Sequence, residues 1–244
     1  MRGDIVAKKA VLFIHGFSAK QEDNQIFVDF MNKQKRIDFH TFILPGHDKK
    51  RMGKATYQDW INASTKELEQ LLKKYQSITI VGHSMGTILA IYLAAHYKEV
   101  EKLVLVSPAY DYGNPEQNAK DFKKLLHHEI NTELGTGFEG ILYKIFHVPF
   151  PRFLEYRKLA KRTKENIKNV KCPTLILHGT MDNLIPIHSS LYLYNTLPCE
   201  KHLTFIEEVR HQVFKSKKAI EVSEYIYDYI IGGIHFKIKK RDLL

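Results

Sequence analysis

The strongest constraint on the fold is a set of short runs that are apolar on both faces. Ile78-Thr79-Ile80-Val81 and Leu103-Val104-Leu105-Val106 show no alternation of apolar and polar residues. A strand of this kind must be covered on both sides, as in a parallel sheet sandwiched between helices. Similar β-rich runs are expected at 11–15, 38–44, 77–81, 102–107, 174–178 and 203–206. Helical spacing predicts helices over 57–75, 86–97 and 217–231, the first carrying Trp60, Ile61, Leu68, Leu71 and Leu72. Alternation of strands and helices implies an α/β domain with right-handed crossovers. No internal repeat and no Gly/Ser-rich or Pro-rich linker interrupts the 244 residues, so one domain is expected.

One interval exceeds what a crossover needs. From Pro108 to Pro173 lie 66 residues, whereas whole crossovers begin at about 10–12. Phe122, Leu125, Leu126, Ile130, Leu134, Phe138, Ile141 and Phe153 make this interval apolar enough to pack on something. We read it as a helical cap over a site. The core is assigned to 1–112 and 165–244 and the cap to 113–164. Helices that merely cover a sheet edge are the plainer reading of the same residues.

Composition narrows the remaining classes. Lys and Arg number 37 against 27 Asp and Glu, a formal charge of +10. The basic residues are scattered in short clusters such as Lys49-Lys50-Arg51 and Lys237 to Arg241 rather than gathered in one stripe. They read as solvated surface, and no nucleic-acid partner is expected. The tail from Gly232 through Arg241 is basic and alternating, and no role is assigned to it. Two cysteines, Cys172 and Cys199, form no disulfide framework and no Cys-x-x-Cys pair. The apolar run 10–14 is too short for a signal-peptide core, and the stretch around 78–95 is broken by Gly82, His83, Ser84 and Gly86. A cytoplasmic protein without stable membrane insertion is therefore expected. Whether it is a homodimer is left open.

The chemistry is concentrated in Gly82-His83-Ser84-Met85-Gly86. A strand pattern precedes it and a helix pattern follows. A serine hydroxyl is a poor nucleophile and must be presented where a base can reach it. A sharp strand-to-helix turn does this, at the cost of a strained serine backbone, and leaves no room for side chains at Gly82 and Gly86. The serine then sits at a helix N-terminus, whose free N–H groups favour negative charge. The N–H of Met85 is thereby aimed at a developing oxyanion. No metal-ligand spacing and no Gly-rich phosphate loop is present, so neither a metal nor an organic cofactor is expected.

These residues, with His15-Gly16-Phe17, Leu44-Pro45-Gly46-His47, His178-Gly179-Thr180-Met181-Asp182 and a late His211, resemble the α/β-hydrolase superfamily. The likeness is greatest to small bacterial carboxylesterases and monoacylglycerol lipases with a short cap. It covers nearly the whole chain. It implies a mostly parallel central sheet flanked by helices, with the cap inserted after the sixth-strand position. It also implies that the Phe17 N–H is the second oxyanion donor and that His15 is structural. The family order is serine, acid, histidine. Asp182 follows a strand after the cap, and Asn183-Leu184-Ile185-Pro186 resembles the family segment beyond the acid. Asp111 is the rival acid. His211 lies in the loop beyond the last strand, in Val209-Arg210-His211 where the family has Gly-x-His. His202 and His235 are rival bases.

The resemblance thus implies a serine hydrolase acting on a small-molecule ester with an apolar acyl group, through Ser84, Asp182 and His211. A monoacylglycerol lipase, an acyl thioesterase, a peptidase or a C–C hydrolase would use the same three residues. A non-enzymatic ligand-binding homologue is a further class. Nothing in the sequence reads out the acyl chain length.

Overall fold

The computed structural model describes residues 9–19, 21–48, 52–110, 150–182 and 184–232. Six strands form one wholly parallel sheet. They are β1 (Lys9–Ile14), β2 (Ile37–Thr41), β3 (Ile78–His83), β4 (Val100–Val106), β5 (Thr174–Gly179) and β6 (Lys201–Ile206). Their order across the sheet is β2-β1-β3-β4-β5-β6. Between them run α1 (Gln25–Asn32), α2 (Tyr57–Leu72), α3 (Met85–His96), α4 (Phe150–Thr163) and α5 (His188–Thr196), and α6 (Ala219–Ile231) closes the described chain. All six expected strands and three expected helices are present, with ends shifted by a few residues. The helices α1 and α5 escaped the sequence reading. Each is short, at 8 and 9 residues, and gives few repeats from which to read a period.

The doubly apolar strands explain the two layers. Leu12, Ile14, Ile80, Leu103, Leu105 and Ile176 face one core, which α2, α3 and α4 cover. Val11, Phe13, Val81, Val104, Val106, Leu175 and Leu177 face the other, which is filled by Phe27 and Met31 of α1 and Val222, Ile226 and Ile230 of α6. Successive strand residues enter opposite cores, as the period of two demands. The helix α3 is apolar all round because it is buried all round, from Met85 to Leu93. α6 is anchored at its C-terminal end by Lys102. The Lys102 Nζ donates to the carbonyls of Tyr229 (2.8 Å), Ile230 (3.2 Å) and Gly232 (2.8 Å). A cation there meets the negative end of the helix dipole.

The long interval opens after β4, the fourth described strand, so the sixth-strand position of the resemblance is the fourth strand here. Residues 113–149 of the expected cap lie outside the described residues, as do Asp111, His235 and the basic tail beyond 232. Its last helix, α4, is described. Phe153, Tyr156, Leu159, Ala160 and Thr163 are buried on one face. Arg152 Nη1 donates to the Ala55 carbonyl, the Tyr57 N–H donates to Glu155 (3.1 Å), and the Tyr156 hydroxyl donates to the Ala109 carbonyl (3.1 Å). α4 is thus fastened over the C-terminal ends of the strands.

This topology also fixes where a site forms. β1 has β2 on one side and β3 on the other, so the chain winds outward in both directions from the β1/β3 pair. The crevice outside the carboxyl ends of strands at such a reversal is where α/β sheets bind ligands. The loop 15–17 and the elbow 82–86 are the segments that leave β1 and β3 there.

Candidate active site

Ser84 ends β3 and opens α3 with φ +53° and ψ −119°. That backbone conformation is costly for a residue with a β-carbon and is kept only where its surroundings enforce it. Two contacts enforce it here. The Ser84 N–H donates to the Val106 carbonyl at 2.9 Å, and Thr87 N–H returns to the Ser84 carbonyl at 3.0 Å. The turn also demands its glycines. A β-carbon on Gly82 would lie 2.6 Å from the Gly86 oxygen, and one on Gly86 would lie 2.0 Å from the Ile14 oxygen. The steric reading of the motif therefore holds in the fold.

The hydroxyl raised by this turn meets an imidazole. Ser84 Oγ lies 3.0 Å from His211 Nε2, and His211 Nδ1 lies 2.8 Å from Asp182 Oδ2. The three residues come from the ends of β3, β5 and β6 and form one hydrogen-bonded line. With a carboxylate on its far side, His211 carries its proton on Nδ1 and accepts the Ser84 O–H at Nε2. Ser84 and His211 are 9% and 3% exposed, so the line is shielded from bulk water but Ser84 keeps an open edge.

Asp182 is held as an anion. Its Oδ1 accepts the N–H groups of Leu184 (3.0 Å) and Ile185 (2.8 Å). Burial opposes its ionisation, but the His211 imidazole, the Ile185 N–H and nearby His178 outweigh burial and hold the carboxyl at about 2. His178 Nε2 sits 3.6 Å from Asp182 Oδ2, and its Nδ1 is 2.7 Å from Ser190 Oγ. The sequence reading did not single out His178, although it stands four residues before Asp182 in the same motif.

Two backbone donors face the hydroxyl. Met85 N–H belongs to the first turn of α3, where N–H groups have no intrahelical acceptor. The loop after β1 supplies the other. A β-carbon on Gly16 would lie 3.0 Å from Ser84 Cβ and 3.6 Å from its Oγ, so the peptide joining Gly16 to Phe17 runs alongside the nucleophile. His15 fixes that loop: its Nδ1–H donates to the Gly16 carbonyl (2.8 Å) and its Nε2 accepts the Leu44 N–H (3.0 Å). Burial pushes the pKa of His15 down, which agrees with a structural, neutral ring. The Phe17 ring lies within 5.6 Å of Tyr156 and 6.1 Å of Trp60, so an apolar wall adjoins the site. The rival base His202 stands on β6 with its Nε2 3.7 Å from Glu200 and takes no part in this line.

The chain from residues 9 to 131 matches the family described as alpha/beta hydrolase fold. The chain belongs to that family. Residues 142–218 of the hydrolase further match the family described as serine aminopeptidase, S33. It is 24% identical over 184 residues to the thermostable monoacylglycerol lipase of Bacillus sp. (strain H-257), covering 72% of this chain and 71% of that one. It is 22% identical over 240 residues to a carboxylesterase of Bacillus subtilis (strain 168), covering 91% and 92%. Among solved structures, it resembles a metagenome-derived lipolytic enzyme with a TM-score of 0.74 at 19% identity, covering 93% of this chain and 94% of that one. The monoacylglycerol lipase of Paleococcus ferrophilus resembles it with a TM-score of 0.69 at 17% identity, covering 92% and 95%. By these relatives it is a hydrolase of the esterase/lipase type.

The buried imidazoles make the fold acid-sensitive. Burial, reinforced by His211, pushes His83 down to about 4, and burial with His15 beside it pushes His47 down to about 3. An unfolded imidazole titrates near 6.5. Below that pH the unfolded chain binds protons that the folded chain refuses, so stability falls as pH drops from about 6.5 towards 4. His83 alone accounts for a loss on the order of 3 kcal/mol across that window. Asp182 acts lower, its contribution being complete above about 4 and lost as pH falls through about 2. We expect the thermal midpoint, followed by circular dichroism, to fall by several degrees between pH 7 and pH 5. A midpoint that holds or rises over that interval would contradict the placement of these rings.

Proposed function

We propose that the protein is a serine carboxylesterase that hydrolyses small esters with an apolar acyl group. The observation that carries the reading is the line Ser84–His211–Asp182 at 3.0 and 2.8 Å, raised at a strained elbow beside two backbone donors. His211 Nε2 takes the Ser84 proton as Oγ attacks the ester carbonyl. The carbonyl electrons move onto oxygen, which rests on the N–H groups of Phe17 and Met85. His211 returns the proton to the leaving alcohol as the C–O bond breaks, leaving an acyl-Ser84 ester. Water, deprotonated by His211, attacks that ester, and the carboxylic acid departs as Ser84 regains its proton. Asp182 holds the Nδ1–H tautomer and stabilises the imidazolium.

The apolar acyl preference is supported by Phe17, Trp60 and Tyr156 beside the site. We take residues 113–164 as the cap, supported by the way its last helix is fastened at Arg152, Glu155 and Tyr156. Cytoplasmic residence remains part of the proposal and rests on the two unpaired cysteines. The likeness to a monoacylglycerol lipase favours that activity as a second reading within the same chemistry.

A panel of p-nitrophenyl esters of increasing acyl length, run beside a monoacylglycerol, an acyl-CoA and an aminoacyl p-nitroanilide, tests the proposal. We expect the highest kcat/KM on an oxygen ester. A preference for the thioester or the anilide would overturn the ester assignment.

A further inference from the structure

Resting on that reading of Ser84 and His211, a further residue has a part that acyl transfer itself does not require. His83 is the last residue of β3, next to the nucleophile, and only 2% exposed. The alternation along β3 turns it away from the Met85 side of the sheet and beneath the base. Its ring centroid lies 5.4 Å from that of His211 and 5.6 Å from that of Phe214. Its Nε2–H donates to the backbone carbonyl of His211 at 3.1 Å, a bond between residues 128 apart in sequence.

The base is carried by a loop that has few other reasons to stand where it does. Glu208, three residues earlier, adopts φ +59°. The Glu208 N–H donates to Thr180 Oγ1 (3.0 Å), and the Met181 N–H donates to the Val209 carbonyl (3.0 Å). Those two bonds tie the base loop to the acid loop. The tie to the nucleophile's own strand, at the residue that bears the imidazole, is made by His83. Its other nitrogen, Nδ1, is buried and has no hydrogen-bond partner among the described residues. A buried polar atom left unpaired is unfavourable, and an apolar side chain would avoid it. What the imidazole supplies in exchange is a rigid donor aimed at one carbonyl.

We propose that His83 is a positioning residue for the base, whose Nε2–H to the His211 carbonyl sets the distance between His211 Nε2 and Ser84 Oγ. Its effect lies in the chemical step rather than in substrate binding. A displacement of about 1 Å in such a line costs on the order of 10²-fold in rate.

The test uses the full chain and p-nitrophenyl butyrate, with kcat and KM measured for His83→Met, His83→Gln and His83→Asn. Glutamine places an amide N–H where the imidazole has its Nε2–H, whereas methionine has no donor and asparagine is too short to reach. We expect kcat to fall about 10²-fold in His83→Met and His83→Asn with KM within about threefold, and His83→Gln to recover to within about tenfold of the parent. Where His83→Met fails to fold by circular dichroism, His83→Asn against His83→Gln decides. A kcat within threefold of the parent in the donor-less variants, a loss confined to KM, or a glutamine variant no better than asparagine would each overturn the proposal. His211→Ala, assayed alongside, separates the two layers. If it stays active the acyl-transfer reading itself fails, and if it is inactive while His83→Met is fully active only the part given to His83 fails.

Discussion

Ser84→Ala yields a folded protein whose ester hydrolysis is reduced by about 10⁶-fold in kcat, the scale expected when the nucleophile of a concerted triad is removed. The fold should tolerate the change. Alanine carries the same β-carbon as serine, so the strain at φ +53° is neither added nor relieved. The Ser84 N–H bond to Val106 and the Thr87 bond to the Ser84 carbonyl are both main-chain at residue 84 and persist. Only the Oγ contact with His211 is lost. What remains is the pair of oxyanion donors and the binding site, which together retain some rate above water but no acyl-enzyme. Steady-state assays with circular dichroism as the folding control check this. Activity within tenfold of the parent would remove Ser84 from the mechanism.

Asp182→Asn should lower kcat by about 10⁴-fold while leaving the site assembled. The reason lies in which oxygen does what. Oδ1 accepts two backbone N–H groups, from Leu184 and Ile185, and an amide oxygen can replace it there. The amide NH2 is then turned toward His211 Nδ1, where Oδ2 now accepts at 2.8 Å. Two donors cannot face each other, so His211 shifts its proton to Nε2 and can no longer accept from Ser84. The variant therefore fails through the wrong tautomer rather than through lost structure. Measured kcat in Asp182→Asn and Asp111→Asn checks the choice of acid. A large loss in Asp111→Asn with Asp182→Asn near the parent would reverse it.

Much of this was legible in the sequence because each part has a local cause. Runs without alternation, such as Leu103 to Val106, require cover on both faces, and the two-layered core provides it. The glycines at 82 and 86 state a steric demand that the elbow then displays. The parts that were not legible depend on pairings remote in the chain. Nothing around His83 announces that its proton is given to a carbonyl 128 residues away. The three donors of Lys102, spent on the end of α6, look in the sequence like any lysine in a strand. α1 and α5 are too short for periodicity to mark, and they exist because Phe27, Met31 and Leu193 fill gaps that the sheet creates. Ser107, buried with φ +47° beside the elbow, likewise gives no sign in sequence of its backbone.

The claim at the centre is that Ser84 is the atom that carries the acyl group, and the mass of the protein after reaction with a fluorophosphonate tests it most directly. The account predicts one adduct per chain, located by peptide mapping on the segment containing Ser84, absent in Ser84→Ala and formed far more slowly in His211→Ala. An adduct on another residue, or a parent protein left unmodified while it hydrolyses esters, would contradict it.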